Sequence, residues 1–367
     1  MIVQKVEFPL QKKKRVYPVW VGQQILGKIP NFFKAEPKLH VVLLADQSLP
    51  KYTQELISIL KRASFRVDLI EIPGNEKSKD FDYALTIFTK LLEFKADRSS
   101  VIFALGGGVI GDLAGFVAAT YLRGIRWVGV PTTLLAQVDS SLGGKTAVNH
   151  PLGKNLIGAF HQPVLVVCDT AFLKGISERD RVSGFGEIVK YALTFDAKLW
   201  KELKVRYLDI IALEPEALSR AIAQSLEWKA HIFTQDEREE KGIRELLNFG
   251  HSVAHALEGA CEYGYFRHGE AVIWGMRVEA ALSVLRGHLS GKAFVELDEL
   301  LASLSIPKIP TDLTLAQVMG FIRRDKKNRD GNLRFVLLKA IGKPIVDSEA
   351  TEALIAKAFK QVGVSLK

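Results

Sequence analysis

Three of the eight histidines in the chain lie between residues 251 and 268. His251 and His255 are four residues apart and would share one face of a helix, and Glu187 and Lys190 would share a face of another. Imidazoles and one carboxylate are a normal ligand set for a catalytic zinc, which keeps one coordination position open for substrate. A helix surface that merely carries two histidines is the alternative. The H-E-x-x-H pattern of a metalloprotease is absent from the sequence.

A glycine-rich segment, 106–111, follows the strand candidate SVIFAL and precedes a predicted helix. It contains the pattern G-x-G-x-x-G, which lets a backbone approach a pyrophosphate at the N-terminus of a helix. The acid that normally binds the ribose about 20 residues later is missing. Asp46 ends the first strand candidate and could bind the ribose instead. A tight turn that needs glycine only for its geometry is the alternative.

The stretch 131–162 is rich in small residues and carries Asp139, Lys145, Lys154 and Asn155. Such a loop can surround a small polar ligand, with its lysines paired to phosphate or carboxylate. A solvated surface loop is the alternative. The sequence Gly-Lys-Thr at 144–146 resembles the end of a P-loop, but Asp139 stands where that motif has glycine and no strand precedes it. A P-loop nucleotide site is therefore not indicated.

The elements that must position these residues change type along the chain. Short apolar runs rich in valine, isoleucine and leucine predict strands at 40–45, 65–72, 100–105, 126–130 and 164–168. Helical spacing of apolar residues predicts helices between them at 50–62, 80–94 and 109–122. This alternation predicts an α/β N-terminal domain with a mainly parallel, Rossmann-like sheet.

The strand pattern fades after about residue 175, and the remaining elements read as helices. Amphipathic helices are predicted at 214–232, 270–286, 293–304, 314–323 and 348–362. We therefore expect a mainly α-helical C-terminal domain, with the boundary between residues 178 and 179. In two-domain chains of this kind the active site is expected in the cleft between the domains.

Composition sets limits on the class of protein. The length of 367 residues fits two domains, and 48% apolar against 25% charged residues excludes intrinsic disorder, collagen and low-complexity scaffolds. The two cysteines, Cys168 and Cys261, cannot form a disulfide framework or a cysteine-based zinc site, and they favour a reducing, cytoplasmic location. Neither a secretory signal nor an apolar run of about 18 residues is found.

The net charge of +9 is the unusual number in the composition. Such an excess can serve nucleic acid, an anionic small substrate or solubility alone. Basic residues crowd the run 323–329, but they lack interleaved aromatic residues and any nucleic-acid-binding motif. A nucleic-acid-binding protein is therefore the least favoured class. The basic run Lys12–Arg15 is not assigned to any function.

Six segments together resemble the 3-dehydroquinate synthase family of sugar-phosphate cyclases over nearly the whole chain. They are ALGGGVIGDLAGFVAATYLRGI, VPTTLLAQVDSSLGGKTAVNHPLGKNLIGAFHQP, GFGEIVKYA, LLNFGHSVAHALE, RHGEAV and DKK. The resemblance implies an NAD-binding domain over 1–178, a metal- and substrate-binding domain over 179–367 and a homodimer. Other sugar-phosphate cyclases and metal-dependent polyol dehydrogenases share this plan, but KTAVNHPLGKNLIGAFHQP is more similar to the dehydroquinate branch.

The resemblance also implies a role for each matching residue. A divalent metal, zinc or cobalt, would be bound by Glu187, His251 and His268. The catalytic residues would be His255, acting in proton transfer and not as a ligand, together with Lys145, Lys190, Asp139 and Arg244. Substrate would be bound by Arg123, Lys154, Asn155, Lys229, Asn248 and Lys326 or Lys327, with Arg123 reaching its phosphate across a dimer interface. NAD would be bound by Asp46, Glu76, Lys79, Gly107, Gly108, Val109, Asp112, Thr132, Thr133, Asp139, Lys145 and Lys154.

The family converts 3-deoxy-D-arabino-heptulosonate 7-phosphate to 3-dehydroquinate and phosphate in the shikimate pathway, which leads to chorismate and the aromatic amino acids. The resemblance implies transient oxidation at C5 by NAD, elimination of phosphate, reduction by the same cofactor and ring closure by aldol addition. The metal would bind the C4 and C5 hydroxyls and lower the pKa of the one that is oxidised. The alternatives are a cyclase that makes an inosose or valiolone, and a polyol dehydrogenase that releases NADH.

A few positions depart from the family pattern. Ser252 stands where the family usually has threonine, and Val253-Ala254 replaces a Phe-Gly pair. Asn75 is an added residue, and the segment DEREEKGIR is one residue longer than the family spacing. The role of Glu240 in that segment is therefore left open. None of these differences removes an implied metal ligand.

Overall fold

A computed structural model describes residues 4–10, 15–236, 241–324 and 333–367. By its internal contacts the chain falls into two units, of which the first comprises Met1–Ile176 and Pro215–Glu237 and the second Ser177–Glu214 and Arg238–Lys367. The helix that starts at Pro215 belongs to the first unit. The expected domain bounds, 1–178 and 179–367, and the separate roles of the two domains stay predictions.

The first unit is built on a seven-stranded sheet. Its strands are β1 (Gln4–Leu10), β2 (Arg15–Gly22), β3 (His40–Asp46), β4 (Arg66–Ile72), β5 (Val101–Gly106), β6 (Arg126–Pro131) and β9 (Leu165–Asp169). They are arranged in the order β1-β2-β9-β6-β5-β3-β4. All neighbours are parallel except β1 and β2, which form an antiparallel pair. The helices of the unit are α1 (Ile29–Phe32), α2 (Pro50–Arg62), α3 (Phe81–Glu93), α4 (Gly108–Thr120) and α7 (Pro215–Gln235).

The five predicted strands are β3, β4, β5, β6 and β9, and the predicted mainly parallel sheet is confirmed. Alternate side chains of β3 enter two different cores. Leu43 packs with Leu56 of α2 on one face of the sheet, and Leu44 packs with Ile87 of α3 and Leu113 of α4 on the other. Because both faces are covered by helices, the strands read as continuous apolar runs.

A second hairpin lies within the stretch predicted as a loop. Strands β7 (Lys145–His150) and β8 (Gly153–Phe160) pair antiparallel outside the main sheet. Gly115 of α4 gives β7 room to approach, because a Cβ at this glycine would lie 2.3 Å from the Thr146 side chain. Most side chains of β8 are exposed, so the segment lacks the apolar run that identifies a buried strand.

The second unit is mainly helical, as predicted. It contains α5 (Glu178–Phe195), α6 (Ala197–Ile211), α8 (His251–Ala260), α9 (His268–Leu285), α10 (Gly291–Ala302), α11 (Leu315–Arg323) and α12 (Glu352–Gln361), with the unpredicted hairpin β10 (Phe335–Ala340) and β11 (Lys343–Asp347). Within the described parts of the chain, no helix combines the length and the apolar character needed to cross a membrane.

Glycines set the distances between α5, α8 and α9. A Cβ at Gly269 of α9 would lie 1.7 Å from the carbonyl oxygen of Ser183 in α5, and a Cβ at Gly275 would lie 1.8 Å from the carbonyl oxygen of Gly250. Gly250 itself has a φ of +83°, which favours glycine, at the start of α8. Because these positions lack a side chain, the backbone of α9 can lie against the backbone of α5 and against the N-terminus of α8.

A buried carboxylate joins the end of α9 to β11. Asp347 accepts hydrogen bonds from Arg286 Nε and His288 Nε2, each 3.0 Å away, and from the backbone N–H of Glu349, also at 3.0 Å. Burial by itself would raise the pKa of Asp347, but the hydrogen bonds from His288 and Arg286 outweigh it and lower the pKa below its usual value. The ionised form of Asp347 therefore stabilises this corner of the second unit.

Candidate functional site

Three helices of the second unit bring together one carboxylate and two imidazoles. The Oε1 atom of Glu187, on α5, lies 3.5 Å from Nε2 of His251 at the start of α8 and 3.5 Å from Nε2 of His268 at the start of α9. One ligand atom from each residue lies within 4.8 Å of the other two. Glu187 is fully buried and His251 nearly so. This arrangement could hold one divalent metal.

The Nδ1 atom of each imidazole already has a hydrogen-bond partner. Nδ1 of His251 lies 3.3 Å from the carbonyl oxygen of Phe249, and Nδ1 of His268 lies 3.4 Å from Oε1 of Glu258. When Nδ1–H donates in both cases and the rings are neutral, each Nε2 has a lone pair that can bind a metal beside Glu187. Such outer contacts fix the tautomer in which a histidine binds a metal. The donor set therefore fits a metal ion in both ligand type and ring orientation.

His268 lies between two carboxylates. Burial alone would lower its pKa, but the hydrogen bonds and negative charges of Glu187 and Glu258 outweigh burial and raise the pKa to about 10. A cation is thus favoured between these groups. In metal-binding proteins the proton and the metal compete for the same imidazole nitrogen.

The other predicted residues of the second unit lie on α5, on α8 and on a short 3-10 helix that precedes α8. Lys190 follows Glu187 by one turn of α5, is buried and forms an ion pair with it. His255 is exposed on α8, with its ring centre 5.5 Å from that of His251. Arg244 is buried on the short 3-10 helix Ile243–Asn248, where the Asn248 side chain donates to the carbonyl of Glu245 over 3.0 Å.

In the first unit the glycine turn borders a pocket. The turn connects β5 to α4, and Gly107 is the N-cap of that helix. The N–H of Thr132 donates to the carbonyl of Gly106 over 3.0 Å, and the Thr133 side chain would lie 3.3 Å from a Cβ at Gly107. Among the lining residues are Gly106, Gly107, Gly108, Gly111, Asp112, Ser140 and Lys145. Val109 lies in the first turn of α4.

A buried ion pair stands beside the glycine turn. Lys79 forms an ion pair with Asp112 of α4, and its Nζ donates to Oδ1 of Asn155 over 2.5 Å. Burial raises the pKa of the Asp112 carboxyl, and the positive charge of Lys79 opposes that rise. The structure thus brings Asn155, expected to bind substrate, together with residues expected to bind NAD.

Asp139 and Lys229 form a second charged pair in the first unit. Asp139 lies on a single π-helical turn, Ala136–Ser140, a rare element that often occurs at functional sites. Lys229 of α7 donates to Oδ1 of Asp139 over 2.9 Å and to its carbonyl oxygen over 2.6 Å. Lys229, expected in the helical domain, lies in the first unit because α7 does.

The remaining predicted residues of the first unit lie at strand ends and turns. Asp46 ends β3, its Oδ1 accepts from the backbone and the hydroxyl of Ser48, and its Oδ2 would be 1.9 Å from a Cβ at Gly74. Glu76 accepts from the Asn149 side chain over 2.7 Å. Lys145 and Lys154 are exposed on the β7–β8 hairpin, and Arg123 is exposed at a φ of +66°.

Several predicted positions lie outside the described residues. These are Lys326, Lys327, Glu240 and the basic residues Lys12, Lys13 and Lys14. The structure also reveals polar partners that the sequence analysis missed. Asn149 had no sequence signal. Glu258 had one, because it follows His255 by three residues and His251 by seven, which is the spacing of one helix face.

Family models match most of the chain. The model described as 3-dehydroquinate synthase N-terminal matches residues 69–183, and the model described as 3-dehydroquinate synthase C-terminal matches residues 184–328. A 3-dehydroquinate synthase from Desulforamulus reducens is 41% identical over 350 residues, which cover 95% of this chain and 97% of that protein. The chain belongs to the 3-dehydroquinate synthase family. The family resemblance stated from the sequence is thereby confirmed, and the chain is an enzyme of this type.

Solved structures of related cyclases have the same fold. A 2-epi-5-epi-valiolone synthase from Streptomyces hygroscopicus subsp. jinggangensis, with NAD⁺ and Zn²⁺ bound, superposes with a TM-score of 0.86 at 25% identity, covering 96% of this chain and 98% of that one. A 2-deoxy-scyllo-inosose synthase complexed with carbaglucose-6-phosphate, NAD⁺ and Co²⁺ also gives a TM-score of 0.86 at 25% identity, with 98% of this chain and all of that one covered. The identity to the 3-dehydroquinate synthase is higher than to either cyclase.

Proposed function

We propose that this member of the 3-dehydroquinate synthase family converts 3-deoxy-D-arabino-heptulosonate 7-phosphate to 3-dehydroquinate and phosphate, using a divalent metal and NAD. One observation carries the proposal. The Nε2 atoms of His251 and His268 each lie 3.5 Å from the Glu187 carboxylate, and both Nδ1 atoms are engaged elsewhere. A site with three protein ligands leaves room for substrate oxygens.

The metal is proposed to be zinc, with cobalt as a functional substitute. Two imidazoles and one carboxylate are ligands that zinc commonly takes in catalytic sites. When bound, the metal would hold two substrate hydroxyls and make one of them easier to deprotonate. The two related cyclases of known structure carry zinc and cobalt, which supports a divalent metal of this class.

NAD is proposed to bind along the glycine turn between β5 and α4. The absence of side chains at Gly107 and Gly108 lets a pyrophosphate approach the free N–H groups at the start of α4. Asp46, at the end of β3, would bind the ribose, with Glu76, Lys79, Val109, Asp112, Thr132 and Thr133 as further contacts. When bound, NAD would accept a hydride from the substrate and return it.

The charged side chains are proposed to hold and to protonate the substrate. Lysine and arginine suit a dianionic phosphate and a carboxylate, so Lys145, Lys229 and Arg244 are assigned to substrate binding. His255 is proposed as the proton-transfer group, because imidazole gains and loses a proton near neutral pH. Lys190, Asp139, Asn155, Lys154 and Asn248 complete the proposed set.

Assembly and location are proposed from the family resemblance and from the cysteine content. A homodimer in which Arg123 of one chain reaches the substrate phosphate of the other is suggested by the family resemblance. Arg123 is exposed, which that role requires. A cytoplasmic location is suggested by the two free cysteines, Cys168 and Cys261.

The proposal is tested by measuring phosphate release from the heptulosonate phosphate, with and without NAD⁺ and a chelator, while NADH absorbance is followed. Phosphate release that requires both NAD⁺ and metal, with no net NADH, is expected. Phosphate release without either cofactor would contradict the proposed mechanism. Net accumulation of NADH would indicate a polyol dehydrogenase, and turnover of another sugar phosphate in its place would indicate an inosose or valiolone synthase.

A further inference from the structure

His268 lies between two carboxylates, and the proposed metal site uses only one of them. On one side its Nε2 is 3.5 Å from Oε1 of Glu187, and on the other its Nδ1 is 3.4 Å from Oε1 of Glu258. The Glu258 side chain is about one-fifth exposed and the His268 side chain about one-third exposed. The two ends of the ring thus face different acids, one on α5 and one on α8.

The two histidines of the proposed metal site are held differently at Nδ1. His251 faces a backbone carbonyl, that of Phe249, which carries no charge. His268 faces the carboxylate of Glu258. A carboxylate behind a metal-bound imidazole fixes its ring and its tautomer and raises the basicity of the nitrogen that binds the metal. The same element, α8, carries both His251 and Glu258, so it would provide one ligand and orient another.

We propose that Glu258 is a positioning residue that holds His268 with Nε2 directed at the metal. This inference rests on the proposed metal site formed by Glu187, His251 and His268. Glu258 does not touch the substrate in this proposal. It acts through His268, and its removal weakens metal binding because the ring is then free to turn and its Nε2 is a poorer donor.

A second grouping of ligand atoms would make Glu258 a metal ligand and not a positioning residue. His255, Glu258 and His268 also present one atom each within 4.8 Å of one another. If Glu258 were itself a ligand there, His268 would have to bind one ion through Nδ1 and another through Nε2. A neutral imidazole has only one nitrogen free to accept, since the other carries a proton. The two groupings therefore exclude each other for a neutral ring.

The test measures Zn²⁺ affinity by competition with a chromophoric chelator, on wild type, Glu258→Gln and Glu258→Ala. His251→Ala serves as the variant that removes a ligand. Glu262→Gln serves as the matched control, because Glu262 is an exposed glutamate just after α8. Substitution of a group that orients a metal ligand typically lowers affinity about 10- to 100-fold. We expect a loss in this range for Glu258→Ala and a smaller loss for Glu258→Gln, which keeps a hydrogen-bond acceptor.

Two further measurements separate a positioning role from a merely structural one. The visible spectrum of the Co²⁺-loaded protein reports the ligand geometry and should shift in Glu258→Ala while remaining that of wild type in Glu262→Gln. The unfolding midpoint of the metal-free protein reports the contribution of Glu258 to the fold. It should change little in the Glu258 variants, whereas their metal affinity should fall. If Glu258→Ala does not fold, the glutamine variant provides the same comparison.

The outcomes are distinct. Wild-type affinity and spectrum in both Glu258 variants, with affinity lost in His251→Ala, would overturn the role of Glu258 alone. Unchanged affinity in His251→Ala would overturn the proposed metal site itself. Two ions per wild-type chain, of which Glu258→Ala loses one, would make Glu258 a ligand and contradict the inference.

Discussion

The substitution Glu279→Gln tests how the metal-binding helices are held. Glu279 is fully buried on α9, and its carboxylate accepts from the N–H of Gly250 over 2.6 Å and from the N–H of Val253 over 3.2 Å. Gly250 is the N-cap of α8, and Val253 lies in its first turn together with His251. A negative charge at this end of a helix is favourable, since the unpaired N–H groups there carry a partial positive charge.

The expected loss follows from these two contacts. A hydrogen bond to a charged group contributes about 1.5–3 kcal/mol, and a partly buried charge at a helix end contributes up to about 2 kcal/mol. Glutamine keeps the size and one acceptor, but it loses the charge and turns an NH₂ group toward an N–H group. We therefore expect Glu279→Gln to lower the free energy of unfolding by about 2 to 4 kcal/mol.

The assay is urea unfolding of metal-free protein followed by far-UV circular dichroism. Glu299→Gln is the matched control, because Glu299 is an exposed glutamate on α10 and its substitution should change stability by about 0.5 kcal/mol or less. Equal stability of the two variants would refute the reasoning, since it would mean that the buried carboxylate contributes no more than a solvated one.

Three further predictions concern packing, pH and ligand binding. Gly269→Ala should disturb the second unit and weaken metal binding, because the added Cβ would lie 1.7 Å from the carbonyl oxygen of Ser183, whereas Gly320→Ala should stabilise by up to about 1 kcal/mol, because nothing lies within 4 Å of its Cβ. Asp347→Asn should destabilise by about 3 kcal/mol near neutral pH, as removal of one partner from a buried ion pair does. The pKa of Asp347 is lowered on folding, so this difference should be present above the ordinary value of 3.8 and shrink as the pH falls below it. Lys145→Ala should weaken substrate binding far more than NAD binding, because its ammonium group is assigned to an anionic substrate group.

Each of these predictions has its own measurement. Chelator competition and urea unfolding compare the two glycine variants, and equal behaviour would contradict the close approach of α5 and α9. Unfolding of Asp347→Asn across the pH range checks the sign, and a loss that grows toward acid would contradict the lowered pKa. Fluorescence titration with NAD⁺ and the KM for substrate compare the two ligands of Lys145→Ala, and equal losses would mean that the β7–β8 hairpin serves the cofactor.

Elements with strong periodicity were predictable from the sequence. Helix α2 has the predicted bounds, and the strands of the parallel sheet are within one residue of theirs, because burial on both faces leaves unbroken apolar runs. The β7–β8 hairpin was not predictable in this way. The hairpin approaches α4 closely at Gly115, and β8 is mostly exposed, so neither an apolar run nor a clean alternation marks it.

The sequence also does not show to which of the two units a helix such as α7 belongs. The pattern of α7 predicts a helix and its apolar face, and both predictions concern local structure. Which other elements cover that face depends on contacts distant in the chain, such as those of α7 with β1 and with the π-helical turn that carries Asp139. Local pattern therefore predicts Lys229 in the helical half, whereas its hydrogen bonds lie in the first unit.

The proposed metal ligands also could not be predicted from local spacing alone. Spacing pairs His251 with His255, yet the structure brings the Nε2 of His251 near Glu187 and leaves His255 exposed on the helix. Residue types and spacing group the three histidines with a carboxylate but do not decide which of them bind the metal, and only the family resemblance selected His251 and His268 beforehand. The role inferred for Glu258 needed the side-chain positions, although its spacing on α8 was visible from the start.

The central claim is that Glu187, His251 and His268 hold the metal on which turnover depends. The most direct test is elemental analysis of metal in wild type and His251→Ala, with phosphate release from the heptulosonate phosphate measured on the same samples. We predict one divalent metal per wild-type chain, and loss of both metal and phosphate release in the variant. A His251→Ala protein that retains its metal and full turnover would contradict the account.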